Sequence, residues 1–294
     1  ETSSAKTWRF QLNGAETFQF SVLVWTKVPD PTAYSVRMTR ISAGTSHTCG
    51  DGSDGKVYCW GNNSQGQLGD GTTDNSSIPV QVQAPAGVTL SGVSAGNGYA
   101  CANGSDGKVY CWGWNIYGQL GNNSNTASST PVAVLAPDDV SLSAVHVGNY
   151  HACAEGDDGS LYCWGRNNRR QLGDSTTTNR WTPVAVKTPA GVTFSEAVGG
   201  DDITCADGSD GELYCWGWNN YGQLGDGTTA QRTTPVAVQA PAGVSLLGAM
   251  PGNEHTCALS TAGPAYCWGR GTLGRLGNGR FTNSNVPVIV AGTR

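Results

Sequence analysis

The sequence predicts an all-β repeat protein, a propeller or solenoid built from five 52-residue units. Three observations predict it. Cys49, Cys101, Cys153, Cys205 and Cys257 stand 52 residues apart, and Cys59, Cys111, Cys163, Cys215 and Cys267 repeat the interval, each followed by Trp-Gly. No insertion or deletion interrupts the series. No apolar period of helical length persists, and Gly and Pro punctuate the whole chain. A fixed period of this size belongs to arrays in which one supersecondary unit stacks on copies of itself.

The period divides the chain into an N-terminal extension, residues 1-34, and five repeats, 35-86, 87-138, 139-190, 191-242 and 243-294. In the extension, Trp8, Phe10 and Leu12 alternate along one run and Phe18, Phe20, Val22 and Val24 along a second, with Asn13-Gly14 opening a turn between them. That pattern predicts a β-hairpin with an aromatic face. Two strands alone are marginal in water, so the hairpin is expected to cover something: its own propeller, a preceding domain or another copy of the protein. Phe18, Phe20, Val22 and Val24 are therefore candidate assembly residues. Pro29 and Pro31 make a stiff exit toward the first repeat.

Within the second repeat, Leu90 to Ala95 reads as a strand, Tyr99 to Ala102 as its continuation, Lys108 to Trp112 as a hairpin partner and Pro131 to Leu135 as an outer strand. Gly-Ser-Asp-Gly at 104-107 supplies turn residues. Val109-Tyr110-Cys111-Trp112 is continuously apolar, so both faces of that strand should be covered, as in stacked propeller blades. Gly44, Gly96, Gly148, Gly200 and Gly252 recur where backbones should converge on an axis. Pro251, which breaks the pattern of the fifth unit, reads as an irregularity in its inner strand.

Ten cysteines in five pairs, each with nine residues between partners, suit antiparallel neighbours across a hairpin. The expected disulfides join Cys49 to Cys59, Cys101 to Cys111, Cys153 to Cys163, Cys205 to Cys215 and Cys257 to Cys267. A zinc site would favour Cys-x-x-Cys knuckles, which are absent, so no metal or cofactor is expected. Five disulfides imply an oxidising compartment, extracellular or cell-surface. The chain opens at Glu1 without a charged-then-apolar leader, consistent with a mature secreted form.

Lys+Arg 17 against Asp+Glu 22 gives a net charge of -5, with no basic stripe for phosphate, so nucleic acid is excluded as a partner. Apolar runs such as Val22 to Trp25 are far too short to span a bilayer. Catalytic constellations are missing: no Gly-x-Ser-x-Gly elbow, no His-Glu-x-x-His, no phosphate-cradling loop. His47, His151 and His255 share one repeat position with Tyr99 and Ile203, an interchange that marks a packing slot. The Asp-rich turns at Asp51 and Asp207 lack the closing carboxylate of a calcium loop.

Function-bearing variation should lie where the repeats differ. After Cys-Trp-Gly the repeats carry Asn62, Trp114, Arg166, Trp218 and Arg270, and three residues further Gln65, Tyr117, Arg169, Tyr221 and Leu273. Trp114, Tyr117, Arg166, Arg169, Arg170, Trp218, Tyr221 and Arg270 are the candidate binding residues, since aromatic and Arg side chains on rigid loops favour protein or sugar contacts. Sealing between blades is the alternative role of the same aromatics.

Cys-Trp-Gly-x-Asn-x-x-Gly-Gln-Leu-Gly at 59-69, 111-121 and 215-225, Asp-Gly-Thr-Thr at 70-73 and 226-229, and Pro-Val at each repeat end resemble the repeat of the regulator of chromosome condensation family. The resemblance covers all five repeats and implies a β-propeller of four-stranded blades. Family members commonly have seven, so five units imply a five-bladed ring, a ring completed by the hairpin, or an open one. The cysteine pairs resemble secreted bacterial members, and the basic surface expected for chromatin binding is missing. The expected function is a non-enzymatic extracellular or cell-surface scaffold for protein-protein contacts, self-assembly into a polymer included. The alternative is a secreted ligand-binding module, lectin-like or an enzyme inhibitor, acting through the loop-face Trp, Tyr and Arg residues.

Overall fold

The computed structural model describes residues 6-11, 17-22 and 36-292. Near the N-terminus, strands β1 (Lys6–Gln11) and β2 (Thr17–Val22) pair antiparallel, with Trp8 opposite Phe20 and Phe10 opposite Phe18. The predicted hairpin backbone is present; Leu12 and Val24 lie outside the described residues.

A second compact unit, Met38–Arg294, holds the repeats. The first blade consists of β3 (Met38–Ala43), β4 (His47–Gly52), β5 (Val57–Gly61) and β6 (Ser76–Gln81), antiparallel in that order. The same four-stranded sheet recurs four more times, ending with Leu246–Pro251, His255–Ser260, Ala265–Gly269 and Ser284–Ile289 in the fifth. First strands of successive blades contact one another, so they form the inner edge.

Two strand readings need correction. Tyr99 to Ala102 does not continue Leu90–Ala95; Tyr99–Gly104 is a separate strand that turns back to pair with it, because Gly96 and Gly98 allow a reversal between them, Gly98 with φ +73°. The outer strand runs Ser128–Ala133, three residues earlier than Pro131, and its register against the third strand shifts between Ser128 and Val132. The fifth inner strand is irregular, but its register shift lies between Leu247 and Met250, as at the same place in blades two to four, and Pro251 pairs with Thr256 at its end. A proline is tolerated there because an edge strand leaves one row of donors outside the ladder.

In every blade the two cysteines sit directly opposite one another on the second and third strands, and all five expected disulfides are present. Continuous burial of Val109, Tyr110, Cys111 and Trp112 follows from sandwiching between two neighbouring sheets.

Each seam repeats the same interlocks. Trp112, Trp164, Trp216 and Trp268 are fully buried, and each indole Nε1 donates to the backbone oxygen of Gln67, Gln119, Gln171 or Gln223 in the preceding blade, at 2.9 to 3.1 Å. Trp60 of the first blade is half-buried. A latch runs along the other side. The inner strands of blades two to five bulge, and the bulge N–H groups donate to a polar side chain of the blade before: Gly92 to Asp51, Val145 to Asn103, Glu196 to Glu155 and Gly248 to Asp207.

The axial glycines are explained by close approach. A Cβ on Gly148 would lie 2.6 Å from the Gly200 carbonyl oxygen and 2.6 Å from His151 Cε1, and Gly44, Gly96 and Gly200 are equally crowded by the blade that follows. Replacing Gly148 by Val is therefore expected to cost more than about 2 kcal/mol through overpacking. Chemical denaturation checks this, and a midpoint equal to the parent's would refute the placement. Gly252, with no following blade against it among the described residues, meets only His255 of its own blade, at 3.3 Å or more. The same substitution there should cost far less.

Candidate interaction surface

The variable loop residues stand on a fixed scaffold. Asn63, Asn115, Asn167 and Asn219 are fully buried, and each Oδ1 accepts the backbone N–H of the Leu five residues on, at 2.9 to 3.0 Å. The Gln two residues before the motif's last Gly closes the turn: Gln119, Gln171 and Gln223 accept from the N–H of Tyr117, Arg169 and Tyr221. With the loop tied from inside, the residues between Asn and Gln can change without changing the backbone.

On this scaffold the side chains form a connected belt across blades two to five. Trp114, Tyr117 and Tyr150 pack edge-on with ring centroids 5.6 to 5.9 Å apart. The Arg166 guanidinium lies over Tyr150 at 5.0 Å and Tyr117 at 5.5 Å, and its Nη1 is 3.4 Å from Asp202. Arg169 sits 3.9 Å from the same carboxylate and 5.7 Å over Trp218. Trp218 meets Tyr221 edge-on at 5.5 Å; Arg270 covers Tyr221 at 4.9 Å and pairs with Glu254 at 2.6 Å, which also holds Arg275 at 2.6 Å.

Burial pushes the Asp202 carboxyl up, against the two arginines that pull it down. Hydrogen bonds from Arg270 and Arg275 hold Glu254 below its ordinary range. Guanidinium over an aromatic face adds attraction of about 0.5–1 kcal/mol at exposed sites, so the belt is pre-organised before any partner arrives.

Seven of the eight candidate residues join this belt. Arg170 does not: it takes the position of Gly66, Gly118 and Gly222, with φ +70°, and its Nη1 hydrogen-bonds Gln231 of the next blade at 3.1 Å. Sequence reasoning missed Tyr150, Asp202 and Glu254. They share a single repeat position with Ser46 and Gly98, immediately before the His/Tyr/Ile slot, and the variability rule that found Trp114 would have found them there. The aromatics also span seams, Tyr117 against Tyr150 above all, so sealing and display are combined in the same side chains.

The slot itself is packed. His47, Tyr99, His151 and Ile203 are buried and His255 half-buried. Among the described residues no group of three His, Cys, Asp or Glu side chains could hold a metal ion, and no helix is long and apolar enough to cross a membrane.

Comparison with known proteins follows the same repeat. A family profile described as RCC1-like domain matches residues 14–294. The ultraviolet-B receptor UVR8 of Arabidopsis thaliana is 34% identical over 267 residues, which covers 91% of this chain and 61% of that protein. Among solved structures, human WBSCR16 superposes with a TM-score of 0.75 at 23% identity, covering 87% of this chain and 67% of that one. Yeast RCC1 (Prp20), solved bound to Kap60, gives 0.74 at 21% identity, covering 86% and 63%. At these identities the structural likeness concerns the fold. The chain spans about three fifths of the length of the plant receptor.

Proposed function

The chain belongs to the RCC1-like domain family, and from that premise we propose that it is a non-enzymatic extracellular or cell-surface scaffold whose loop belt binds protein partners and whose copies link to one another. The observation that carries the reading is the belt itself: Trp114, Tyr117, Tyr150, Arg166, Arg169, Trp218, Tyr221 and Arg270 are tied to one another before binding, six of them on loops held by the buried Asn115, Asn167 and Asn219. Aromatic and Arg anchors on a rigid base suffer little ordering cost and supply most of the energy of protein interfaces. A solved relative, yeast Prp20p, is described as binding Gsp1p and histones, so propellers of this kind present usable protein-binding faces. Five disulfides support an oxidising location.

Proximity labelling from the protein at the surface of cells that secrete it tests the belt. Trp114→Ala with Trp218→Ala is expected to reduce recovery of the labelled partners about tenfold or more, with no loss of fold by circular dichroism. Recovery unchanged in the double variant would sink the belt as the binding face. Retention on a glycan array that disappears in the same variant, with no protein partner, would transfer the surface to carbohydrate.

A further inference from the structure

The fifth blade departs from the repeat at the positions that meet a following blade. Where Asp51, Asn103, Glu155 and Asp207 accept latch hydrogen bonds, the fifth blade has Leu259, 62% exposed. Ser42 and Ser94 accept from the N–H groups of Ala95 and Val147; their fifth counterpart is Met250, 77% exposed. Tyr117, Arg169 and Tyr221 each touch a residue of the next blade; the corresponding Leu273 is 85% exposed. Phe281, 73% exposed, replaces Thr73, Asn125, Thr177 and Thr229. Its ring lies 3.4 Å from where a Cβ on Gly274 would sit, the place at which Gly66, Gly118 and Gly222 meet the next blade.

A further blade of the same kind would need a polar acceptor at 259 for its bulge N–H, and leucine offers none. A terminal repeat that served only to keep the array in solution would be more polar than its siblings. This one is less polar than every sibling at 259, 273 and 281, and at 250 carries Met where the first three blades carry Ser42, Ser94 and His146, which marks a surface made to be covered.

The N-terminal hairpin has the matching property. Its register sets Trp8 opposite Phe20 and Phe10 opposite Phe18, and sets Thr7, Arg9 and Gln11 opposite Ser21, Gln19 and Thr17. One set of alternate positions is therefore aromatic except for the Lys6–Val22 pair at its end, and the other is wholly polar. Its strands are six residues long, as are Leu246–Pro251 and Ser284–Ile289 of the fifth blade.

We propose that strands β1 and β2 of one copy seat their aromatic positions on Met250, Leu259, Leu273 and Phe281 of a second copy. This rests on the assembly part of the function proposed above and names its donor and acceptor. Because the two surfaces differ, the contact is heterologous and leaves a free donor and a free acceptor at the ends of every assembly, so chains grow.

Sedimentation velocity over a concentration series tests it with three proteins: the parent, an acceptor variant (Leu259→Asp with Met250→Ser, residues the other blades carry) and a donor variant (Phe18→Ser with Phe20→Ser). The parent is expected to form chains. Each variant alone should need about tenfold or more higher concentration to assemble, and an equimolar mixture should stop at a one-to-one dimer joined by the intact donor of one and the intact acceptor of the other. A parent that assembles together with an acceptor variant that assembles equally well overturns the proposed acceptor and leaves the assembly reading standing. A monomeric parent overturns the assembly reading itself. A monomeric parent whose melting temperature falls in both variants places the hairpin on its own fifth blade instead.

Discussion

Reducing all five disulfides is expected to lower the melting temperature by roughly 20 °C or more while the β-sheet signature survives at low temperature. Each bridge closes a loop with a sequence separation of ten. In the chain-entropy model such a loop contributes about 2 to 3 kcal/mol, so five together rival the whole stability of an ordinary domain. The stabilisation acts mainly on the unfolded chain, and this chain has 42 glycines whose freedom folding must remove. Stacking of the tryptophans between blades does not depend on the bridges, so the folded array should persist in the cold. The fifth bridge should be reduced first, since Cys257 is half-buried while Cys49, Cys101, Cys153 and Cys205 are shielded. Calorimetry with and without reductant checks the size of the effect, and timed alkylation with mass spectrometry checks the order. A melting temperature within a few degrees of the oxidised value would show that the bridges constrain nothing that folding does not already fix.

Acid is expected to destabilise the array well above the pH at which carboxylates protonate. Burial pulls His47 down to about 4, and burial, then the nearby Arg166 charge, pulls His151 down to about 3. Thr204 Oγ1 donates to the Gln171 carbonyl at 2.7 Å, so in its 2.8 Å contact with His151 Nε2 the ring must be the donor. Nδ1 of His151 has no partner, and neither ring nitrogen of His47 has one, so a second proton would place a charge where nothing accepts it. In the unfolded chain both residues take up protons near pH 6.5; in the fold they do not until about 4 and 3. Between those limits the unfolded state binds more protons, and stability falls as pH falls. At 1.36 kcal/mol per unit the two groups could together remove several kcal/mol between pH 6.5 and 4.

Carboxylates contribute in a different window or with the opposite sign. Asp174 and Asp226 are lowered despite burial, by Thr hydroxyls and by Arg180 and Arg232, so their contribution is lost only as pH drops below the ordinary Asp range. Burial raises Asp202 and Asp207, which oppose the loss on acidification. Urea titrations at pH 7 and 5 measure the difference, and His151→Tyr, which copies the buried Tyr99 of the second blade, should remove its share. A pH-independent midpoint across this range would show that the ring sites hydrate on protonation.

Much of the fold was legible because its signals are local and repeated. The cysteine interval gave the blade length and, through hairpin pairing, the disulfides; the apolar Val-Tyr-Cys-Trp run announced a strand covered on both faces. Strand bounds were less legible. The reversal between Ala95 and Tyr99 depends on a glycine turn that resembles strand continuation when read as a row of small residues. The outer strand begins before its Pro-Val signature because Ser128 pairs with Gly113 ahead of a register shift.

The site divides in the same way. Trp114, Tyr117, Arg166, Arg169, Trp218, Tyr221 and Arg270 could be found by asking where the repeats disagree, a question that needs only the sequence. Their assembly into one belt could not, since Tyr117 meets Arg166 and Tyr221 meets Arg270 across blade seams, at distances set by how one sheet rotates on the next. By itself, then, the sequence determined the repeat length, the β class, the cystine pairing and the positions free to vary, all consequences of period and pairing within one blade. Tertiary structure alone decided which groups touch between blades: the Trp-to-Gln seam bonds, the polar latch that ends at Leu259, and the Asp202 carboxylate that ties down Arg166 and Arg169. Those contacts join residues of neighbouring repeats, and stacking, not local sequence, fixes their geometry.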